Sequence, residues 1–174
     1  MNATLRVDTA RRLLTLGDLQ MPCVIGKGNT CPSADKREGD GCTPLGLWPV
    51  RGALLRPDRV ERDAPLQLPW RWIGQSDGWS DDPADPSYNR PIILPHTFSA
   101  EHLWRQDAAY DIVIVLGHND APPTPGSGSA IFFHIWVPGA DGLPKPTEGC
   151  VAIAPDAMRA LLRLLTSDMA MEIF

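Results

Sequence analysis

The sequence predicts a mainly β, α+β fold: mixed sheets with one good helix that follows a cysteine near the C-terminus. Three observations carry that expectation. Eighteen prolines and fifteen glycines divide 174 residues into short segments, the punctuation of strands joined by turns. Two uninterrupted apolar runs rich in β-branched residues, YDIVIVLG (110–117) and SAIFFHIWV (129–137), have the pattern of strands buried on both faces. A single stretch, after Cys150, shows the 3.6-residue period of an amphipathic helix. The length supports a core without metal or disulfide staples, so residues 1–174 are expected to form one domain.

The elements can be placed in order. ATLRVD (3–8), RLLTL (12–16) and QMPCVIG (20–26) read as strands, the first two by apolar-polar alternation. Residues 29–46 read as a long turn-rich loop whose DKREGDG run is a solvated face. LWPVRGALL (47–55) and LQLPWRWIG (66–74) read as further strands. Residues 75–92 hold too much Asp, Pro and Gly for a regular element, and are expected as an ordered surface loop or lid anchored by Trp79 and Tyr88. SAEHLWRQ (99–106) reads as a short helix with Ser99 as N-cap. APDAMRALLRLLTSD (154–168) reads as the clear helix. Pro155 suits its first position, Asp156 suits the positive end of its dipole, and Met158, Leu161, Leu162 and Leu165 form its inward stripe. AMEIF (170–174) closes the chain as a strand.

Composition excludes several function classes. The net charge is −5 and no basic stretch is concentrated anywhere, which argues against nucleic acid or an anionic membrane as a partner. No apolar run approaches the ~20 residues of a membrane span. The first twenty residues carry Arg6, Asp8, Arg11 and Arg12 where a secretory leader needs a continuous apolar core. With Met1 as the native start, the expected location is therefore the cytoplasm; with a leader already removed, it is the periplasm. The cysteines at 23, 31, 42 and 150 fit no standard zinc spacing, so a zinc module built on Cys23, Cys31, Cys42 and a histidine is disfavoured, and neither metal nor cofactor is expected. Cys31 and Cys42 could pair in an oxidising compartment.

One constellation could carry chemistry. In PTEGCVAIA (146–154), Cys150 follows a glycine, and His134 lies sixteen residues upstream on an apolar strand. A free thiol is a few per cent thiolate at neutral pH; an imidazolium neighbour that lowered its pKa to about 6 would raise that fraction roughly thirty-fold. Gly149 leaves room for a substrate carbonyl beside the thiol, and local N–H groups could form an oxyanion hole. The other reading is a core histidine and a buried cysteine that never meet, and spacing alone favours it.

The order SAIFFHIW…PTEGCVAI, preceded by DKREGDGCTPLGLWPV, resembles the YkuD-type L,D-transpeptidase catalytic domain. That family carries a histidine, a loop, then Ser/Thr-His-Gly-Cys, with Thr-Pro-x-Gly upstream. Thr43, Pro44 and Gly46 match the upstream element, and His134, Thr147, Gly149 and Cys150 the downstream one. The resemblance spans nearly the whole chain. It implies a β-sandwich of mixed sheets and a cysteine acyl transferase acting on peptidoglycan stem peptides, at the bond from the L-centre of meso-diaminopimelate to D-alanine. Cys150 would be the nucleophile and His134 its base. The Ile135 carbonyl would orient the ring, and the Gly149 and Cys150 N–H groups would form the oxyanion hole. The acyl-enzyme would yield to water (L,D-carboxypeptidase, in muropeptide recycling) or to an amine (L,D-transpeptidase); hydrolysis is the first expectation. Tetrapeptide muropeptides, and carbapenem-type inhibitors, are the implied ligands.

Two positions depart from the family pattern: Glu148 replaces the histidine before Gly-Cys, and Ala152 the arginine two residues past it. Both fit a third reading, a non-catalytic stem-peptide binder. Glu148 is expected to point away from the thiol or to contact a substrate amine or His134. The remaining substrate-binding candidates are Thr147, His118 and Asn119 where a buried strand ends, and Tyr88 and Arg90 in PSYNRP. His118 could fill the space of the missing histidine. Lys36, His96 and His102 are expected at the surface, and the six tryptophans as anchors of core and loops.

Overall fold

A computed structural model describes residues 4–61 and 65–174; Met1 and Ala3, on which the start-site and first-strand expectations touch, lie outside them. The strands are β1 (Thr4–Asp8), β2 (Leu13–Leu16), β3 (Leu19–Val24), β4 (Thr30–Pro32), β5 (Thr43–Leu55), β6 (Trp70–Trp72), β7 (Asp77–Ser80), β8 (Pro91–Ile93), β9 (Ala100–His102), β10 (Ile112–Leu116), β11 (Phe132–Ile135), β12 (Val151–Ile153) and β13 (Ala170–Ile173); the helix α1 is Pro155–Leu162. Among the described residues the chain is thus mostly β with one α-helix, as the punctuation predicts.

The large mixed sheet runs β10-β11-β12-β3-β2-β1-β13-β5-β4. Its path closes because β5 is long enough to serve twice: residues 46–49 pair with β13, and residues 50–55 pair with β10. Inside lies the main core, which includes Leu5, Val7, Leu14, Ile112, Ile114, Phe133, Ile135, Val151 and Ile153. α1 adds Met158, Leu161 and Leu162 to it. The opposite face of β10–β12 buries a second cluster with Leu54, Val113, Phe132, Trp79, Tyr110 and Cys150. The central strands are therefore buried on both faces, as their unbroken apolar runs require.

Four expectations are corrected. Residues 29–46 are not one loop: β4 lies within them and pairs parallel with the start of β5, Thr30 beside Thr43. Residues 99–106 form no helix: β9 pairs antiparallel with β7, placing Glu101 opposite Trp79, and Leu103 N–H continues the ladder to Asp77 O. Tertiary pairing overrides a weak local preference. Residues 75–92 are not a plain loop, since β7 and the start of β8 lie within them and join β9 in a three-stranded sheet. Their acidic content misleads because some of it is internal: buried Asp85 accepts Ser80 Oγ at 2.5 Å and contacts His96 Nε2 at 2.6 Å. The helix ends at Leu162 rather than Asp168. Thr166 bonds Asp168 instead of continuing the turn, although Leu165 is still buried.

Candidate active site

β11 and β12 run parallel, with Phe133 beside Val151 and His134 beside Ala152. Because side chains alternate across a strand, Phe133, Ile135, Val151 and Ile153 enter the main core. Their neighbours Phe132, His134, Cys150 and Ala152 turn to the other face. Cys150 and His134 thus share one face, and both line a single cavity of about 430 Å³.

The turn before β12 is pinned by Thr147. Its Oγ1 donates to Cys150 O at 2.6 Å and accepts Gly149 N–H at 3.1 Å. Its backbone bonds Ile25 O and Lys27 N–H. Between those partners, Gly26 N–H is held by the fully buried Thr43 at 2.8 Å. The upstream and downstream motifs therefore meet as one brace behind the cysteine. Gly149 has φ +140°, and a Cβ there would stand 2.8 Å from Cys42 O, so only glycine fits. Its N–H is committed to Thr147, which corrects the expectation that it faces a substrate oxyanion.

The thiol is buried, donating to Ala130 O at 3.2 Å and receiving Phe132 N–H at 3.3 Å. Ala130 has φ +50°, an uncommon conformation for a residue with a Cβ. Buried Asn89 imposes it: Oδ1 accepts Ala130 N–H at 3.0 Å and Trp79 Nε1–H at 2.9 Å, while Nδ2 donates to the His118 and Asn119 carbonyls. His134 Nδ1 lies 2.8 Å from Ile135 O, as the resemblance implies. A carbonyl cannot donate, so Nδ1 carries the proton and Nε2 presents its lone pair. The ring sits edge-on to Tyr110 at 5.3 Å.

Electrostatics correct the expectation of a preformed thiolate–imidazolium pair. Burial, and after it the charge of Glu101, push the Cys150 thiol up to about 12. Burial lowers His134 to about 4. At neutral pH the resting site is a neutral thiol and a neutral imidazole.

The other candidates divide. Thr147 and Glu148 line the cavity. Glu148 turns outward, paired with Lys27 Nζ at 2.7 Å with its side chain 74% exposed. The structure does not bring His118, Asn119, Tyr88 or Arg90 to the cavity wall. His118 packs edge-on against Trp48 at 4.8 Å, so it does not stand in for the histidine that Glu148 replaces. Asn119 staples its own turn through Thr124 and Gly128. Tyr88 is buried and donates to Glu38, and exposed Arg90 reaches Asp120 O at 2.7 Å. His96 and His102 are not core residues: His102 is exposed, and His96 is half-buried beside Asp85. Lys36 corrects the surface expectation: it is 2% exposed, held by Asp40, and lines the cavity.

The cavity also recruits Glu101, Arg105, Tyr110 and Asp81, which no motif spacing connects to the cysteine. Ala152, where the family pattern has an arginine, is fully buried, and the cations lining the cavity are Lys36, Arg105 and Lys145. Of the cysteines proposed for zinc, Cys31 and Cys42 approach Asp40 within 4.8 Å, and Cys23 is not part of that group. Asp40 is already bonded to Lys36, Arg37 N–H and Cys42 N–H.

The L,D-transpeptidase catalytic domain (YkuD) family model matches residues 2–173. The chain belongs to that family. No curated protein and no solved structure matches it. Membership supports L,D-transpeptidase-type catalysis on peptidoglycan, and the shared face of Cys150 and His134 is where this chain places the residues that match the family motif.

Proposed function

We propose that the protein is an L,D-carboxypeptidase, hydrolysing the bond from the L-centre of meso-diaminopimelate to D-alanine in tetrapeptide stems. The observation that supports this reading is Cys150 and His134 lining one cavity of about 430 Å³, with His134 Nδ1 held on the Ile135 carbonyl, a volume typical of small-ligand sites and suited to one stem terminus plus water. Sγ attacks the diaminopimelate carbonyl carbon as its proton passes to His134 Nε2. The Cys150 N–H is the donor assigned to the oxyanion, since Gly149 N–H is occupied. Collapse breaks the C–N bond, and the imidazolium returns the proton to the departing D-alanine nitrogen, leaving a thioester. Water, deprotonated by the same Nε2, attacks the thioester carbonyl and releases the tripeptide carboxylate and the free thiol.

Incubation with a disaccharide tetrapeptide, read by mass spectrometry, decides the acceptor. Tripeptide plus free D-alanine is expected; dimers or exchanged D-amino acids would assign transfer instead. The high resting pKa of the thiol favours a second reading, a stem-peptide binder without turnover. A carbapenem adduct on Cys150 in the intact protein mass would exclude that binder, and its absence with stem binding retained would establish it.

A further inference from the structure

One wall of the cavity carries charges that the acyl-transfer steps do not use. Glu101, in the middle of β9, accepts the Tyr110 hydroxyl and lies 3.9 Å from Arg105 Nη1. The other two guanidinium nitrogens are committed to Asp107, Nε at 2.8 Å and Nη2 at 2.7 Å. Arg105 also packs over the Tyr110 ring, 5.1 Å from its centroid. Its position is therefore fixed while Nη1 faces Glu101. Asp81 lines the same cavity.

We propose that Glu101, Asp81 and Arg105 form a subsite for a zwitterionic amino-acid centre of the substrate, its ammonium docking on the two carboxylates and its carboxylate on Arg105 Nη1. The proposal rests on the peptidoglycan reading of the site and names the substrate feature this wall selects. The side chain of diaminopimelate ends in such a centre, whereas lysine at the same position offers only the ammonium. A planar, fixed guanidinium suits a carboxylate, and an ammonium suits paired carboxylate oxygens.

The subsite also couples recognition to reactivity. Glu101 faces the Tyr110 hydroxyl, Arg105, and the carboxylates of Asp81 and Glu38. The thiol feels Glu101 against it, and Lys36 and Arg105 in its favour. Burial is the larger cause of the raised thiol and Glu101 the next; both side chains line one cavity, so an ammonium docked on Glu101 offsets the second cause. The empty enzyme keeps its thiol protonated, and a correctly charged substrate eases the proton's departure to His134.

The test compares wild type with Glu101→Gln, whose side-chain oxygen can still accept the Tyr110 hydroxyl, and with Arg105→Gln. Three tetrapeptides serve as substrates: one with meso-diaminopimelate, one with its distal amine acetylated, and one with lysine at that position. Alkylation of Cys150 by iodoacetamide in the free enzyme is a parallel readout, with near-UV circular dichroism checking the fold. Wild type is expected to prefer the unmodified diaminopimelate peptide by about tenfold or more in kcat/KM. Glu101→Gln is expected to erase the preference over the acetylated peptide, mainly through KM, and to speed alkylation at pH 8 by roughly threefold or more. Arg105→Gln is expected to erase the preference over lysine. Equal wild-type use of all three peptides, or unchanged discrimination and alkylation in folded Glu101→Gln, would overturn the subsite. Thioester formation read by intact mass separates the two levels: equal adducts from all three peptides refute the subsite and leave the acyl-transfer reading standing, while no adduct from any refutes that reading too.

Discussion

At the scale of single residues, the site is organised around a thiol that does not ionise by itself. Cys150 rests against Ala130 O and Phe132 N–H, so reaction requires Sγ–H to leave a carbonyl for His134 Nε2. His134→Gln should lower kcat by about 10²–10⁴-fold with a smaller effect on KM, checked by steady-state kinetics on tetrapeptide. Iodoacetamide alkylation should climb steadily from pH 7 to pH 10, since the thiol titrates near 12. A plateau near neutrality would mean a thiolate already formed. Asn89 is the positioning residue missed in the sequence. Asn89→Ala leaves the Ala130 N–H, the Trp79 N–H and two carbonyls without their partner. It should cost about 2–4 kcal/mol in denaturant unfolding. An asparagine in PSYNRP reads as a turn residue, and only the fold reveals its four bonds.

At the scale of elements, two distant motifs become one device. Thr43 and Thr147 clamp the Ile25–Lys27 segment between them, which fixes the turn that presents Cys150. Thr43→Val keeps the shape but strands a buried Gly26 N–H, so it should cost about 1–3 kcal/mol. Calorimetry should show this as a Tm roughly 2–10 °C lower. The central strands β10 and β11 and the start of α1 were legible in sequence, because continuous β-branched runs and Pro155 with its apolar period are local signals. The three-stranded sheet was not. β7, β8 and β9 are three or four residues each, and they exist by pairing with one another rather than by propensity. Since β9 carries Glu101, misreading it as a helix also hid one wall of the cavity. Cys150, His134 and Ile135 could be read because they fall in or beside one ordered motif; Glu101, Arg105 and Asp81 could not, because only folding brings them there.

At the scale of the whole molecule, closure through β5 sets the site at the seam between two cores. Phe132 and Cys150 belong to one core while Phe133 and Val151 belong to the other, so acid that loosens the fold also loosens the site. Burial depresses both His134 and His118 to about 4, against about 6.5 in the unfolded chain. Between those values the unfolded state binds protons that the folded state does not. The stability from keeping both rings neutral is thus complete above pH 6.5 and is lost as pH falls towards 4. Tm should drop by more than about 5 °C from pH 7 to pH 4.5. His118→Gln should flatten part of that slope while kcat at pH 7 stays near wild type, as His118 lies outside the cavity wall.

The central claim is that Cys150 becomes acylated by a stem peptide with His134 taking its proton. Intact-mass spectrometry of the protein mixed with diaminopimelate tetrapeptide, quenched in acid and mapped by peptide digestion, tests it most directly. The expected result is a hydroxylamine-labile tripeptide adduct on Cys150 that vanishes in Cys150→Ser and forms far more slowly in His134→Gln. D-Alanine release undiminished in Cys150→Ser, or an adduct carried by another residue, would contradict it.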